Sequence, residues 1–557
     1  MRDRGTDDFK RKDPLPKFAA YSGAASWACI RIESGLPSLI LYGSDGALST
    51  LSSMRMSHAP VENLRVYFFF DKCANQKGVG VILQQNKLGL WVLTALVVGN
   101  MVGSGIFMLP RSLSEAASPL GVILAWLLTG GGVLMTALVF GNLAIRKPAL
   151  NGGPQIYAKE LFPKGSNASV LSGFMSSWGY WIGNFAGNVA IITTFTSYLS
   201  TFFPILTSKQ TVFMVGATPI KLGNLLTFMV CTALLWGMHF IILRGIEGAG
   251  KLNFIATSAK VLGFFLFIAI SLFAFDKSNI GSIVAPRYDE AGHSVSLFGQ
   301  VTGAAVATLW AFVGVESAIV FASRARKQTD VKRATILGLL IALIIYIGIS
   351  VLVMGLLPQK QLIHSEKPLV DAIQTILGPS GAYILAGLGL ISLLGSTLGW
   401  VLLSAEVPYQ AAKQGLFIPA FLKENKKGMP KLALVLSNGL AQIFIFSTIS
   451  HSMSAAFDFV IYIATLAYLV PYFIASVFQL KLTWTGETYE TNTKQRITDG
   501  VIAALATIYS IWVIIAGTSD IKTFMLGVAL LASGIIFYPL VKKAVDKEKN
   551  AKKRLSA

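Results

Sequence analysis

Apolar runs recur along the chain from Leu90 to Leu540, separated by short polar segments. Each run holds about 20 residues, enough to cross a hydrocarbon core of ~30 Å as an α-helix. The pattern predicts an all-α membrane protein with about twelve transmembrane helices. The predicted spans are 89–110, 120–145, 168–203, 223–243, 252–275, 298–322, 335–357, 381–407, 432–450, 456–480, 498–517 and 521–541.

The composition supports the membrane assignment. Hydrophobic residues make up 54% of the 557 residues, charged residues 13%, and the mean hydropathy is +0.62. Soluble domains carry about 25% charged residues, so this composition excludes soluble, disordered and fibrous classes. The three cysteines, Cys29, Cys73 and Cys231, have no metal-ligand spacing and form no disulfide framework. We therefore expect no metal site and no cofactor.

The net charge of +20 is distributed unevenly along the chain. If span 1 begins in the cytoplasm, the later loops and the tail on that side hold 26 Lys and Arg residues, against 8 in the outer loops. Such asymmetry predicts a multi-pass protein of the cell (inner or plasma) membrane with both termini cytoplasmic. The Lys and Arg residues that set this orientation account for most of the net positive charge, so the charge does not imply a nucleic-acid partner.

The two ends of the chain differ from its apolar centre. Residues 1–88 contain short apolar patches without a sustained period, and we expect a poorly ordered N-terminal extension or a start-site artefact. Four Asp residues near the start argue against a signal peptide. Residues 89–541 are predicted to form the transmembrane transporter domain, and residues 542–557 a basic cytoplasmic tail.

No catalytic domain is evident after residue 88, where the longest polar stretches are about 25 residues. The sequence has no phosphate-binding Walker A motif and no zinc-protease motif. These features argue against an ATP-driven pump and against an enzyme, and they favour a secondary transporter or a channel.

Two predicted spans contain helix-weakening glycine at mid-membrane depth. Span 1 carries Gly103-Ser104-Gly105, and span 6 carries Gly314 two residues before the ionisable Glu316. Unwound backbone at this depth is tolerated only where it lines a cavity or is covered by protein, and its N–H and C=O groups suit a carboxylate and an ammonium. The alternative is close helix packing through small residues.

Four motifs carry a family resemblance: VGNMVGSGIF in span 1, WGYWIGN in span 3, LWAFVGVESA in span 6 and LGSTLGWVLLSAE in span 8. They resemble the amino acid/polyamine/organocation (APC) superfamily, and within it the basic amino acid antiporters for arginine/agmatine and arginine/ornithine. The resemblance covers residues 88–545. It implies a LeuT-type fold, in which a 5+5 inverted repeat has discontinuous helices 1 and 6, with two extra helices. It is also compatible with a homodimer.

The resemblance implies where the substrate backbone binds. Its α-carboxylate would meet backbone N–H groups near Ser104, Gly105 and Ile106, assisted by the Ser104 hydroxyl. Its α-ammonium would meet carbonyl groups near Asn100 and Met101 of span 1, and near Trp310 of span 6.

The resemblance also implies a pocket for the substrate side chain. Trp310 matches a gating aromatic that stacks on the substrate, although a Trp in a span is otherwise a packing or interface residue. Asn184 and Trp400 match lining residues of the distal pocket. Tyr180 stands where one such exchanger has a small residue, which leaves the side-chain selectivity open.

Two charged residues within the spans are candidates for coupling or gating. Glu316 matches a charge-sensitive acid of the family, and the alternative is an acid that hydrogen-bonds unwound backbone. Lys260 lies about 13 Å past Lys251 along span 5, near mid-membrane. In relatives a lysine here replaces a sodium ion and bridges spans 1 and 5, and the alternative is a lysine that reaches a water-filled vestibule.

The combined expectation is a secondary antiporter in the lipid bilayer that exchanges cationic amino acids, arginine for ornithine, by alternating access. The alternatives are a proton-coupled lysine or histidine permease, a lysine/cadaverine antiporter, and an amino acid sensor or channel on the same fold.

Overall fold

The computed structural model describes residues 88–150, 153–216, 218–245, 249–288, 292–320, 322, 325–489 and 492–556, and the backbone of three earlier strands. The chain divides into two compact units, Met1–Asn86 and Lys87–Ala557. In the first unit the strands β1 (Ala28–Glu33), β2 (Leu39–Tyr42) and β3 (Arg65–Phe70) form an antiparallel sheet in the order β2-β1-β3. Apart from Leu88, the rest of the predicted N-terminal extension lies outside the described residues.

The second unit is built from helices connected by short segments. Its helices are α1 (Leu90–Met101), α2 (Ser104–Ala116), α3 (Pro119–Arg146), α4 (Asn167–Leu199), α5 (Leu222–Leu243), α6 (Ala249–Ala274), α7 (Leu297–Phe312), α8 (Ser317–Val320), α9 (Gln328–Leu356), α10 (Gln359–Leu362), α11 (Pro368–Lys413), α12 (Lys431–Ile445), α13 (Ser447–Ser450), α14 (Met453–Thr485), α15 (Thr493–Gly517) and α16 (Ile521–Ser556). Two small hairpins pair β4 (Thr211–Val215) with β5 (Thr218–Lys221), and β6 (Arg287–Tyr288) with β7 (Ser294–Val295).

In the described part of the chain, ten helices are long and apolar enough to cross a membrane, and the bent pair α1–α2 makes an eleventh. Helix α4 has the length for a span, but its Ser, Thr and Asn content lowers its hydropathy. Most of α4 is buried, packed against α11 and α14. Because protein rather than lipid surrounds it, α4 does not need an apolar surface.

Local sequence explains several helix boundaries. Ser118 caps α3 by accepting a hydrogen bond from the Gly121 N–H, and Pro119 occupies the first helical position, where no N–H is needed. In α11, Gly378 has a φ of 64° and precedes Pro379, so the helix consists of two pieces. The predicted span 381–407 lies within the second piece.

Arg111 and Asp458 form an ion pair between two helices. The predicted first span ended at residue 110, but α2 continues to Ala116, so Arg111 is helical and not in a loop. Its guanidinium bonds the Asp458 carboxylate of α14 at 2.5 Å and the Ile363 carbonyl at 3.1 Å. The pair joins α2 to α14 at one end of the helical unit.

A second polar network joins α3, α9 and the start of α15. The buried Asp499 carboxylate accepts hydrogen bonds from Arg146 at 3.1 Å, Asn142 at 3.0 Å and Tyr489 at 2.9 Å. The Lys332 ammonium donates to the Asn142 side-chain oxygen at 2.7 Å. Arg146 and Lys332, which the sequence interpretation used to assign orientation, therefore also connect helices.

Candidate functional site

The first span breaks next to its Gly-Ser-Gly motif. Helix α1 ends at Met101, α2 begins at Ser104, and the axes of the two helices differ by 47°. The first backbone N–H groups of α2, from Ser104 to Ile106, lack carbonyl partners within the helix. Met101, Ser104 and Ile106 are buried, whereas Asn100 is exposed. The break therefore presents the N-terminal donors of α2 inside the protein.

The sixth span breaks around Gly314. Helix α7 ends at Phe312, α8 begins at Ser317, and Gly314 has a φ of 107° that only glycine adopts readily. A Cβ at Gly314 would lie 3.1 Å from the Asn100 backbone carbon. The breaks in spans 1 and 6 are therefore in direct contact.

An aromatic pair lies beside the first break. The rings of Trp310 and Trp400 have centroids 6.0 Å apart at an interplanar angle of 45°. A Cβ built on Gly105 would lie 3.4 Å from Trp310 Cδ1, and one built on Gly187 of α4 would lie 2.9 Å from Trp310 and 3.1 Å from Trp400. Three predicted residues, Gly105, Trp310 and Trp400, thus form one cluster around the Trp310 ring, and Gly187 joins them.

Helix α4 presents buried amide groups to the same region. Asn184 donates to the Tyr180 carbonyl at 2.6 Å, but its Oδ1 atom has no hydrogen-bond partner among the described residues. One turn later, both side-chain polar atoms of Asn188 are also unpaired within the described part of the chain. Unpaired buried amides are destabilising. Sequence analysis missed Asn188, although its spacing of four from Asn184 places both on one helical face.

Glu316 is held by three donors inside the protein. The side chain is 3% exposed and accepts hydrogen bonds from the Gly314 N–H at 3.0 Å, the Tyr180 hydroxyl at 3.0 Å and the Tyr472 hydroxyl at 2.5 Å. The carboxylate therefore connects the break in span 6 to α4 and α14. The Tyr180 hydroxyl is directed to Glu316, and sequence analysis missed Tyr472 because its partner is 156 residues away.

Lys260 connects α6 to α1. Its ammonium donates to the Gly99 carbonyl at 3.1 Å, in the last turn of α1 before the break. The lysine side chain is partly covered, and the neighbouring Thr257 and Ser258 are exposed. Lys260 thus contacts span 1, as the bridging hypothesis requires, and also lies beside exposed polar residues, as the vestibule hypothesis requires.

Comparison with known proteins identifies the family. A family model described as "Amino acid permease" matches residues 88–538. A Bacillus subtilis (strain 168) protein named "Putative arginine/ornithine antiporter" is 53% identical over 470 residues, covering 84% of this chain and 100% of the relative. An arginine/ornithine antiporter of Pseudomonas aeruginosa is 38% identical, covering 82% of this chain and 92% of the relative. An arginine/agmatine antiporter of Chlamydia felis is 33% identical, with coverages of 84% and 92%. This multi-pass membrane protein therefore belongs to the amino acid permease family of the APC superfamily.

Proposed function

We propose that this protein is a secondary active transporter that exchanges cationic amino acids, arginine for ornithine, across the cell membrane by alternating access. The observation that carries the proposal is the contact between two broken spans, beside the Trp310–Trp400 pair and two α4 amides whose side-chain atoms lack partners among the described residues. Broken helices of this kind bind charged substrates in transporters. The names of the relatives from Pseudomonas aeruginosa and Bacillus subtilis support the same pair of substrates.

The substrate backbone binds at the break in span 1. Its carboxylate accepts hydrogen bonds from N–H groups at Ser104, Gly105 and Ile106, where the helix dipole also favours an anion. Its ammonium meets carbonyl groups near Asn100 and Met101 and the Trp310 carbonyl. The absence of a side chain at Gly105 supports this arrangement, because a Cβ there would already contact the Trp310 ring.

The cationic end of the substrate binds between Trp310, Trp400 and α4. An aromatic face attracts a desolvated cation by about 2 kcal/mol. The Oδ1 atoms of Asn184 and Asn188 need donors, and a guanidinium has five N–H groups. An ornithine ammonium has three, so both members of the exchange pair satisfy these acceptors.

Two charged residues couple binding to conformational change. The Lys260 ammonium takes the place of a sodium ion and holds α6 to the carbonyl of Gly99 beside the site. Glu316 responds to the charge that enters the site, because its hydrogen bonds join the break in span 6 to α4 and α14. Movement of either half-helix changes these contacts.

The proposed architecture has twelve spans, with α4 as the third, in a 5+5 inverted repeat followed by two further helices. The breaks at α1–α2 and α7–α8 occupy the first position of each half, which supports the repeat. The excess of Lys and Arg on one side supports cytoplasmic termini. A homodimer is compatible with this architecture.

Counterflow tests the proposal. Purified full-length protein in liposomes takes up labelled arginine only when the lumen contains ornithine or another partner substrate. Uptake into empty liposomes driven by a pH gradient would instead assign a proton-coupled permease, and lysine uptake driven by luminal cadaverine would assign the lysine/cadaverine antiporter. Binding without uptake would assign a sensor, and conductance without saturation a channel.

A further inference from the structure

An apolar hairpin, formed by β4 and β5, lies between the end of α4 and the start of α5. Its patch of exposed side chains, here called the hairpin patch, consists of Val212, Phe213, Met214 and Val215 of β4, which are 48–59% exposed. Every residue of β4 is exposed, so neither face of this strand packs on the protein. Exposed apolar patches of this kind mark interaction surfaces.

The base of the hairpin is fixed to the helical unit. Ile220 of β5 is 3% exposed, and the Leu222 N–H donates to the Gln210 carbonyl at 2.8 Å. A Cβ at Gly223 would lie 2.7 Å from the Leu206 carbonyl oxygen, so the segment before β4 packs tightly on the start of α5. The tip therefore projects from a rigid base.

Covalent connection puts the hairpin at the membrane boundary. β5 ends at Lys221, and the membrane span α5 begins at Leu222. In the segment between α4 and the hairpin, Phe202 stacks on Tyr383 with ring centroids 5.4 Å apart, and both rings are exposed. Aromatic side chains are enriched at the level of lipid headgroups.

The charge of the segment fits an anionic lipid surface. Residues 200–222 contain Lys209 and Lys221 but no Asp or Glu. An apolar patch flanked by lysine is the composition of segments that lie in the membrane interface. The exposed Met229 on α5 continues the apolar surface into the span.

We infer that the hairpin patch inserts into the headgroup and upper acyl region of the bilayer, with phospholipid as its partner. Insertion removes four apolar side chains from water and leaves the two lysines near lipid phosphates. The hairpin is then a lipid anchor for the end of α4 that is independent of the transport site.

Depth-dependent quenching tests the inference in the full-length protein. The native cysteines are first removed by Cys29→Ser, Cys73→Ser and Cys231→Ala. The Phe213→Cys variant is then labelled with an NBD fluorophore and placed in vesicles of phosphatidylcholine and phosphatidylglycerol. Met229→Cys is the control within the span. Lys360→Cys is the exposed polar control at the same end, because Ser197 of α4 bonds the nearby Glu366 carbonyl.

We expect the label at 213 to emit at shorter wavelength than that at 360. We also expect lipids with a nitroxide at acyl carbon 5 to quench the label at 213 two-fold or more. Aqueous iodide should instead quench the label at 360. The same label at Val215→Cys should repeat the result. Iodide quenching at 213 equal to that at 360 overturns the inference. A blue shift without nitroxide-lipid quenching, accompanied by Phe213→Cys cross-links between two copies, assigns the patch to a protein contact and also overturns it.

Discussion

The Asn100 side-chain amide donates to the Ser317 hydroxyl at 2.8 Å, and that hydroxyl in turn donates to the Gly314 carbonyl at 2.5 Å. This chain of hydrogen bonds joins the last turn of α1 to the start of α8 and to Gly314 within the break in span 6. The two breaks are therefore joined by side-chain hydrogen bonds as well as by the backbone contact at Gly314.

The φ of Gly314 makes the contact between the two breaks sensitive to a single methyl group. Gly314→Ala adds a Cβ 3.1 Å from the Asn100 backbone and a left-handed strain of about 1–2 kcal/mol. We expect arginine/ornithine exchange to fall roughly ten-fold, as measured by initial uptake rate per folded protein. Gly303→Ala on α7, whose Cβ would meet nothing within 4 Å, is the control and should transport normally. Normal exchange by Gly314→Ala would contradict the prediction, because it would show that the backbone around residue 314 accommodates the methyl group without loss of transport.

In the proposed site, the missing side chain of Gly105 lets the substrate carboxylate approach the backbone. Gly105→Leu blocks that approach and should abolish binding, with a loss of at least about ten-fold in affinity, or 1.4 kcal/mol. Scintillation proximity binding of labelled arginine measures the effect, and Gly131→Leu on the exposed face of α3 is the control. Wild-type binding by a folded Gly105→Leu protein would place the carboxylate elsewhere.

Trp310 should distinguish charged from neutral substrates. Trp310→Leu retains an apolar side chain but removes the π face, so affinity for arginine should fall by about 5- to 30-fold, the equivalent of 1–2 kcal/mol. The neutral analogue citrulline should lose less. Competition assays compare the two, with Trp91→Leu at the exposed start of α1 as control. An equal loss for both ligands would leave shape as the only contribution of the ring.

Lys260 should make transport independent of sodium. In sodium-free buffer the wild type is expected to exchange at its full rate, whereas Lys260→Met loses the bond to the Gly99 carbonyl and loses exchange. Lys260→Arg should not restore the full rate, because a guanidinium is larger and planar and does not release its proton. Lys277→Met in an exposed loop is the control. Sodium dependence of the wild type, or full activity of Lys260→Met, would assign Lys260 to a solvated vestibule.

Asp499 should contribute to stability more than any exposed ion pair does. Asp499→Asn leaves Arg146 and Tyr489 with a weaker acceptor in a buried site, at an expected cost of about 3 kcal/mol. Thermal unfolding in detergent measures the loss as a lower Tm. The control Glu487→Gln breaks the exposed pair with Lys147 and should cost at most about 1 kcal/mol. Equal shifts in the two variants would contradict a special role for the buried network.

The sequence predicted the features that depend on nearby residues. Glycine at 103, 105 and 314 indicated where spans 1 and 6 break, because the helix-weakening effect of glycine is local. The length and apolarity of most spans were equally predictable. The motif resemblance supplied Trp310 and Trp400, which the structure brings together.

Contacts between distant segments could not be predicted in the same way. The partners of Glu316 lie on α4 and α14, and nothing in the sequence near Tyr472 indicates that its hydroxyl meets a carboxylate. Arg111 and Asp458 are separated by 347 positions, and no sequence pattern connects them. Only the tertiary fold, which brings one end of α2 near the start of α14, makes them a pair.

The polarity of the buried helix α4 has a consequence for how the protein is made. A helix enters the bilayer from the translocon in proportion to its own hydrophobicity. Helix α4, with Asn184 and Asn188 in its central turns, is a weak insertion signal, and the helices that cover it, α11 and α14, are synthesised much later. The packing that stabilises α4 thus depends on later parts of the chain, so α4 reaches its final environment only after α14 has been made.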